Sequence, residues 1–158
     1  MFRELVRKNK QISDEECIRI LENEKRGILS VNGDDGYPYG MPLNHYYDQE
    51  TGKIYFHSGN VGYKLEMLRK DDKVSFCVHD EGYRIPGKWP LHIKSVIVFG
   101  RVKILDDPEL ITDITTRLSH KFTQDDAYIK REIDGNLNRT LLLELTPEYM
   151  VGKAVTEC

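Results

Sequence analysis

The stretch HIKSVIVFGRVKILDD is hard to place anywhere but in a sheet. Ile93, Val96, Ile97, Val98 and Phe99 are β-branched or aromatic, and neither Gly nor Pro interrupts them. The run reads as a long strand with a buried centre, and Gly100 marks a bulge. Other segments share its character. GILSVN, YPYGMPLNHYYD, IYFHS, DKVSFCVHD and RTLLLELTPEYM all read as strands, separated by NGDDG, DQETGK and the loop EGYRIPGKWPLH. In DKVSFCVHD, Val74, Phe76 and Val78 alternate with Ser75, Cys77 and His79. Pro38 and Pro42 put the second strand at a sheet edge or beside a bulge.

The helical patterns are fewer. Ser13 and Glu16 form a capping box before DEECIRILENEK, and Gly27 ends that helix. A short helix runs from about Val61 to Lys70. Pro108 opens PELITDITTRLSHKF, and another helix begins near Asp125. The chain thus begins with a helix and a three-stranded meander. About six strands with few helices predict a mainly β fold with helical decoration (α+β), a small β-barrel.

The chain has 158 residues, the size of one domain spanning 1–158, and a net charge of −3. That charge invites neither nucleic acid nor an anionic membrane surface. Cys17, Cys77 and Cys158 are odd in number and widely spaced, which argues against a disulfide framework or a zinc site. Cys17 and Cys77 read as small core residues. The first residues, MFRELVRKNKQIS, lack the apolar run of a secretion signal, and the chain is expected in the cytoplasm.

The segment IYFHSGNVGYKLEML passes from strand to helix through a hydroxyl, two glycines and a lysine. A helix N-terminus offers free backbone N–H groups and partial positive charge. Glycines let the backbone approach a ligand closely, Ser58 adds a hydroxyl and Lys64 an ammonium. This is a candidate phosphate cradle, set against a plain turn with a solvated lysine. It lacks the GxxxxGK[ST] order of a P-loop. His57 beside it is a candidate acid, base or ligand, or a structural histidine. The histidines His45, His57, His79, His92 and His120 show no helix-spaced metal pair, so no metal is expected. Met41, Pro42 and Leu43 offer a flat apolar surface to a planar ligand, or simply an edge strand on the core. Ser95 interrupts an apolar strand and needs a partner. The pairs Asp34–Asp35, Asp71–Asp72, Asp106–Asp107 and Asp125–Asp126 flank turns or helix starts and read as caps.

MPLN, YFHSG-x-x-G-x-KLEML, KSVIVFGRVKILDDPE and EYMVGKA, in this order from about Arg3 to Ala154, resemble the flavin-binding proteins related to pyridoxamine 5′-phosphate oxidase, and within them the nitroimidazole-resistance branch. The resemblance implies a split β-barrel, FMN as cofactor, and a homodimer with flavin sites at the subunit interface. In the parent oxidase a Thr or Ser ends the strand and a Ser-Arg-Lys run follows to hold the flavin phosphate. Ser58 matches the first position, Gly62 the serine, Tyr63 the arginine and Lys64 the lysine. Losing the arginine removes a bidentate, permanently charged donor. Lys64 and backbone N–H groups then carry more of the phosphate, or an arginine from elsewhere contributes. Pro42, Leu43 and Asn44, with Met41 before them, match the strand along the isoalloxazine ring. His57 and Ser58 match positions near the ribityl chain and phosphate, and Ser95 and Val96 the strand that helps line the flavin site. The loop from Glu81 to Leu91, with Arg84, Lys88 and Trp89, matches a variable region at the pocket mouth. Trp89 covers the ring, or serves the interface or core.

The resemblance implies an FMN-dependent oxidoreductase that reduces a small electron acceptor, such as a nitro-aromatic compound, with NAD(P)H as a possible donor and His57 as the candidate catalytic group. No Rossmann fingerprint is visible, so such a donor would bind transiently. The Arg-Leu-x-Pro-type C-terminus of the parent oxidase is replaced by EYMVGKAVTEC, which argues against oxidation of pyridoxamine phosphate. The alternative is a carrier or sensor that binds flavin or haem without turnover. A third reading is a cofactor-free barrel that oligomerises.

Overall fold

The structure is a computed structural model and describes residues 1–157. Seven strands form one antiparallel sheet: β1 (Arg26–Asn32), β2 (Pro38–Asn44), β3 (Tyr46–Tyr47), β4 (Ile54–Gly59), β5 (Lys73–His79), β6 (Leu91–Leu105) and β7 (Thr140–Glu157). The helices are α1 (Asp14–Asn23), α2 (Tyr63–Lys70), α3 (Pro108–Ser119) and α4 (Asp126–Asn136). The strand order is β2-β1-β5-β6-β7-β4-β3. β2 and β3 therefore lie at opposite ends of the sheet, yet only His45 separates them. Successive Cα atoms are about 3.8 Å apart, so the two ends must meet there and the sheet must roll up. No ladder joins β2 to β3 or β4 among the described residues. The result is a split β-barrel, mainly β with helical decoration.

The barrel interior follows from strand alternation. Leu29 and Val31 of β1, Phe56 of β4, Phe76 and Val78 of β5, Val96 and Val98 of β6, and Leu143 and Leu145 of β7 share one core. Cys17, Ile20 and Leu21 of α1 and Leu65, Met67 and Leu68 of α2 complete it. Each fully buried Leu, Val or Phe contributes roughly 1.5–3 kcal/mol. A second cluster joins Ile111 and Ile114 of α3 to Tyr55 and Leu142 on the outer face of β4 and β7.

Several local signals appear as read. Ser13 and Glu16 form a reciprocal capping box with both bonds at 3.2 Å. Asp107 and Asp125 cap α3 and α4. β2 is an edge strand, and the β6–β7 register shifts between Phe99 and Gly100.

Others are corrected. The expected meander stops after the β1–β2 hairpin, because β4 pairs with β3 and β7, not with β2. YPYGMPLNHYYD is two strands broken at His45. α1 ends at Asn23, before Gly27, which lies inside β1; a Cβ there would sit 2.6 Å from the Cys77 carbonyl. α2 begins at Tyr63 rather than Val61, and β7 continues past Met150 to Glu157. The centre of β6 alternates: Val96 and Val98 are buried, while Ser95, Ile97 and Phe99 are half-buried on the outer face.

His45 is fully buried. Its Nε2 donates to the Leu21 carbonyl at 2.7 Å, and its ring lies edge-on to Phe76. Its N–H donates to the Lys25 carbonyl, and its own carbonyl accepts from Lys121 Nζ at 2.8 Å. A ring that donates through Nε2 while Nδ1 has no partner is the neutral tautomer. Burial, with Lys121 adding to it, pushes its pKa down to about 3. Between about pH 6.5 and 3 the unfolded chain therefore takes up a proton that the folded chain refuses. Stability is expected to fall with acidification across that window, by up to about 1.4 kcal/mol per pH unit from this group. Urea denaturation at stepped pH checks it, and His45→Gln should flatten the slope. Packing gives a second prediction. A Cβ on Gly152 would press on Ile12 and Cys17, whereas one on Gly135 in α4 meets nothing within 4 Å. Gly152→Ala should cost about 1–3 kcal/mol of stability, and Gly135→Ala should stabilise by up to about 1 kcal/mol, both read from denaturation midpoints.

Candidate functional site

β4 divides its side chains between two compartments. Phe56 points into the barrel core, while Tyr55 packs against α3. Ser58 is buried and donates to the Gly59 carbonyl at 2.9 Å; His57 is exposed on the Tyr55 side. The chain then turns through Asn60 to Gly62 into α2. Gly62 is the N-cap, with φ +142°, a conformation that disfavours any side chain. No side chain caps the helix. The amides of Val61, Gly62, Tyr63 and Lys64 donate to no protein acceptor among the described residues. A Cβ on Gly59 or Gly62 would meet nothing within 4 Å, so the turn faces open space. Lys64 is half-buried and forms no ion pair among the described residues. Free amides at a helix start, with an unpaired lysine in its first turn, are groups that an anion can use.

Tyr63 does something else with its side chain. Its hydroxyl accepts from the Asp34 amide at 2.8 Å, and its ring meets Tyr39 edge-on at 4.8 Å. Only its backbone N–H remains for the turn. The tyrosine instead fastens α2 to the β1–β2 hairpin, which brings the turn beside β2. In β2, Met41 and Leu43 pack against the core and Pro42 is exposed. Asn44 is half-buried at the end of the strand. Because β2 is the sheet edge, one side of its backbone faces no strand.

Ser95 and Val96 lie elsewhere. β6 is separated from β2 by β1 and β5. Val96 is fully enclosed in the core, so its side chain offers a ligand no surface, while Ser95 is half-buried on the outer face between His79 and Lys153. The loop from Glu81 to Leu91 is held by Arg84 Nε on the Trp89 carbonyl at 3.0 Å. Trp89 is 78% exposed, which excludes a core role within one chain.

His57 lines a cavity of about 380 Å³ between the end of β4 and the α3–α4 pair. Desolvation, then the nearby Lys64 ammonium, lower its pKa below that of free imidazole, which favours the neutral ring. Thr115 and Arg139 line the same cavity, and neither stood out in the sequence. Thr115 is one hydroxyl in a helix rich in them. Arg139 reaches the site because β7 pairs Thr140 with Gly59, a long-range register that no local pattern announces.

The sequence pattern of the pyridoxamine 5′-phosphate oxidase family matches residues 13–154. The chain belongs to this family. The fold agrees with solved structures. One is a protein provisionally assigned to 5-nitroimidazole antibiotic resistance from Bacteroides thetaiotaomicron, 19% identical, covering 93% of this chain and 87% of its own, with a TM-score of 0.78. Another is a FAD-binding protein from Mesorhizobium loti, 23% identical, covering 92% and 97%, with a TM-score of 0.67. A third is a FAD and haem binding protein from Mycobacterium smegmatis, 17% identical, covering 91% and 72%, with a TM-score of 0.71. A comparison with curated proteins returns no match.

The Tyr63 contact is testable. Tyr63→Phe removes the acceptor of the Asp34 amide and should cost about 0.5–1.5 kcal/mol. Hydrogen exchange at Asp34 should quicken more than at the amides of β5.

Proposed function

We propose that the chain binds FMN and works as a flavin-dependent oxidoreductase that reduces a small electron acceptor, with nitro-aromatic compounds as the class to try first. The observation that carries the reading is the turn after β4: a run of unpartnered amides beside an unpaired lysine, at the start of a helix. The residues fit a phosphate monoester. Ser58, the backbone of Gly62 and Tyr63, and Lys64 would hold it, and the free edge of β2 from Met41 to Asn44 would lie along the ring. A bound flavin supplies the electron transfer. His57 contributes a neutral imidazole, which can give or take a hydrogen bond beside the acceptor. Family membership and the flavin-binding neighbours support the cofactor class, and the neighbour assigned to nitroimidazole resistance supports the acceptor class.

A homodimer belongs to the same proposal. Pro42, Ile28, Cys77, Ile97 and Val151 are register partners across five strands and form an outward row on the sheet. Ile28 is 43% exposed in the single chain. An apolar row of this kind is suited to cover by a second sheet face. Ser95 lies on the same outer face, where a partner's flavin could reach it. The second reading, a flavin or haem carrier without turnover, draws on the FAD and haem binding neighbour. It also draws on the scarcity of acid–base groups around His57.

The test is an absorption spectrum of the purified protein after FMN is added, followed by anaerobic NAD(P)H and a nitro-aromatic acceptor. A flavin spectrum that bleaches and recovers supports the enzyme, and a flavin inert to every donor supports the carrier. Lys64→Ala should weaken FMN about 10- to 100-fold, the loss of one charge-assisted bond of about 1.5–3 kcal/mol, without lowering the melting temperature. Unchanged affinity would remove Lys64 from the site.

A further inference from the structure

We infer that the cavity between the end of β4 and the α3–α4 pair binds a small amphipathic carboxylate, its carboxylate on Arg139 and its body on Ile111, Ile133 and Leu137. The volume, about 380 Å³, is that of a small-molecule site. Ile111 and Ile133 are themselves almost fully buried, so they form a firm apolar wall.

The polar groups are specific. Thr115 Oγ1 is buried and has no hydrogen-bond partner. Its neighbours on α3 behave differently: Thr116 donates to the Thr112 carbonyl and Ser119 to the Thr115 carbonyl, each at 2.7 Å. Thr115 keeps its hydroxyl without a partner, and a buried unpartnered hydroxyl is costly until something binds it. Arg139 is oriented from behind. Its Nη2 donates to Asn136 Oδ1 at 2.9 Å, and Asn136 Nδ2 is anchored on the Glu132 carbonyl at 2.8 Å. No carboxylate pairs with Arg139 among the described residues, so the rest of its planar fork is available to one.

Charge selects the class of anion. Besides Arg139, the charged or titratable residues in the lining are Glu132 and His57. With Glu132 in the lining opposite Arg139, a singly charged carboxylate meets less repulsion than a doubly charged phosphate. The cavity shares His57 and Ser58 with the site proposed for the flavin but none of the turn residues from Asn60 to Lys64, so its occupant would lie beside an anion held at the start of α2. The inference rests on the flavin reading only where the two sites share His57 and Ser58, and competition with FMN tells the sites apart.

The experiment uses the full chain with labelled isoleucine and leucine methyl groups, titrated with 3-phenyllactate and followed by NMR. The expected result is saturable shifts at Ile111, Ile133 and Leu137. The uncharged 3-phenyllactamide should bind at least tenfold more weakly, which tests the carboxylate without any mutation. Arg139→Ala should lose at least tenfold in affinity, with Arg139→Lys intermediate and the unliganded spectrum of each reporting its fold. Thr115→Val should weaken binding severalfold and leave the melting temperature unchanged or higher, since the lost hydroxyl had no partner. No shifts at millimolar concentration, equal binding of acid and amide, or displacement by inorganic phosphate would each overturn the proposal. Displacement by FMN would also overturn it, because the cavity would then belong to the cofactor.

Discussion

Everything in this fold depends on one residue that joins the two ends of a sheet. His45 carries the chain from edge strand β2 to edge strand β3, and the sheet has no choice but to roll. The link is held from all sides: by the Leu21 carbonyl on its ring, the Lys25 carbonyl on its amide and Lys121 on its own carbonyl. A buried imidazole costs little when it is neutral and bonded, and a great deal when it must charge. Lys121 is subject to the same physics, since burial lowers its pKa to about 8 while it bonds the Glu24 and His45 carbonyls. The seam thus ties α1 and the segment after α3 to the point where the barrel turns back on itself.

The rolled sheet sets where chemistry can occur. β4 faces the core with alternate residues and the α3–α4 pair with the others, so a single strand delivers Ser58 and His57 to different surroundings. At its end the glycine turn leaves amides unpaired beside Lys64. Tyr63 then fixes α2 to the β1–β2 hairpin, which keeps that turn next to the open edge of β2. In the position where the resemblance leads one to expect an arginine, the chain has placed a structural brace.

Local physics was readable from local residues. The Ser13–Glu16 box, the aspartate caps, the Pro-marked edge of β2, the bulge at Gly100 and the alternation of Val74, Phe76 and Val78 each depend on a few neighbouring side chains. The turn from Ser58 to Lys64 was legible for the same reason. Long-range pairing was not. β4 could have lain against β2, and only the closed barrel favours β7. The break at His45 was hidden because Asn44, His45 and Tyr46 read as a continuous strand. The tail of β7 was hidden because its core-facing residues Gly152 and Ala154 are small and give no apolar alternation. Thr115 and Arg139 acquire meaning only when a register across β4 and β7 sets them around His57.

The α3–α4 segment leaves the sheet and returns to it at the same place. Leu105, the last residue of β6, is paired with Leu142 near the start of β7. The intervening residues are an excursion whose removal would leave the ladder between the two longest strands intact. The wall of the His57 cavity is thus built on an exchangeable module, while the turn after β4 belongs to the permanent frame. Such an architecture separates what evolution can vary from what it must keep. Substituting the excursion would retarget the cavity and spare the seam that closes the barrel as long as Lys121, which bonds the His45 carbonyl from within it, is kept.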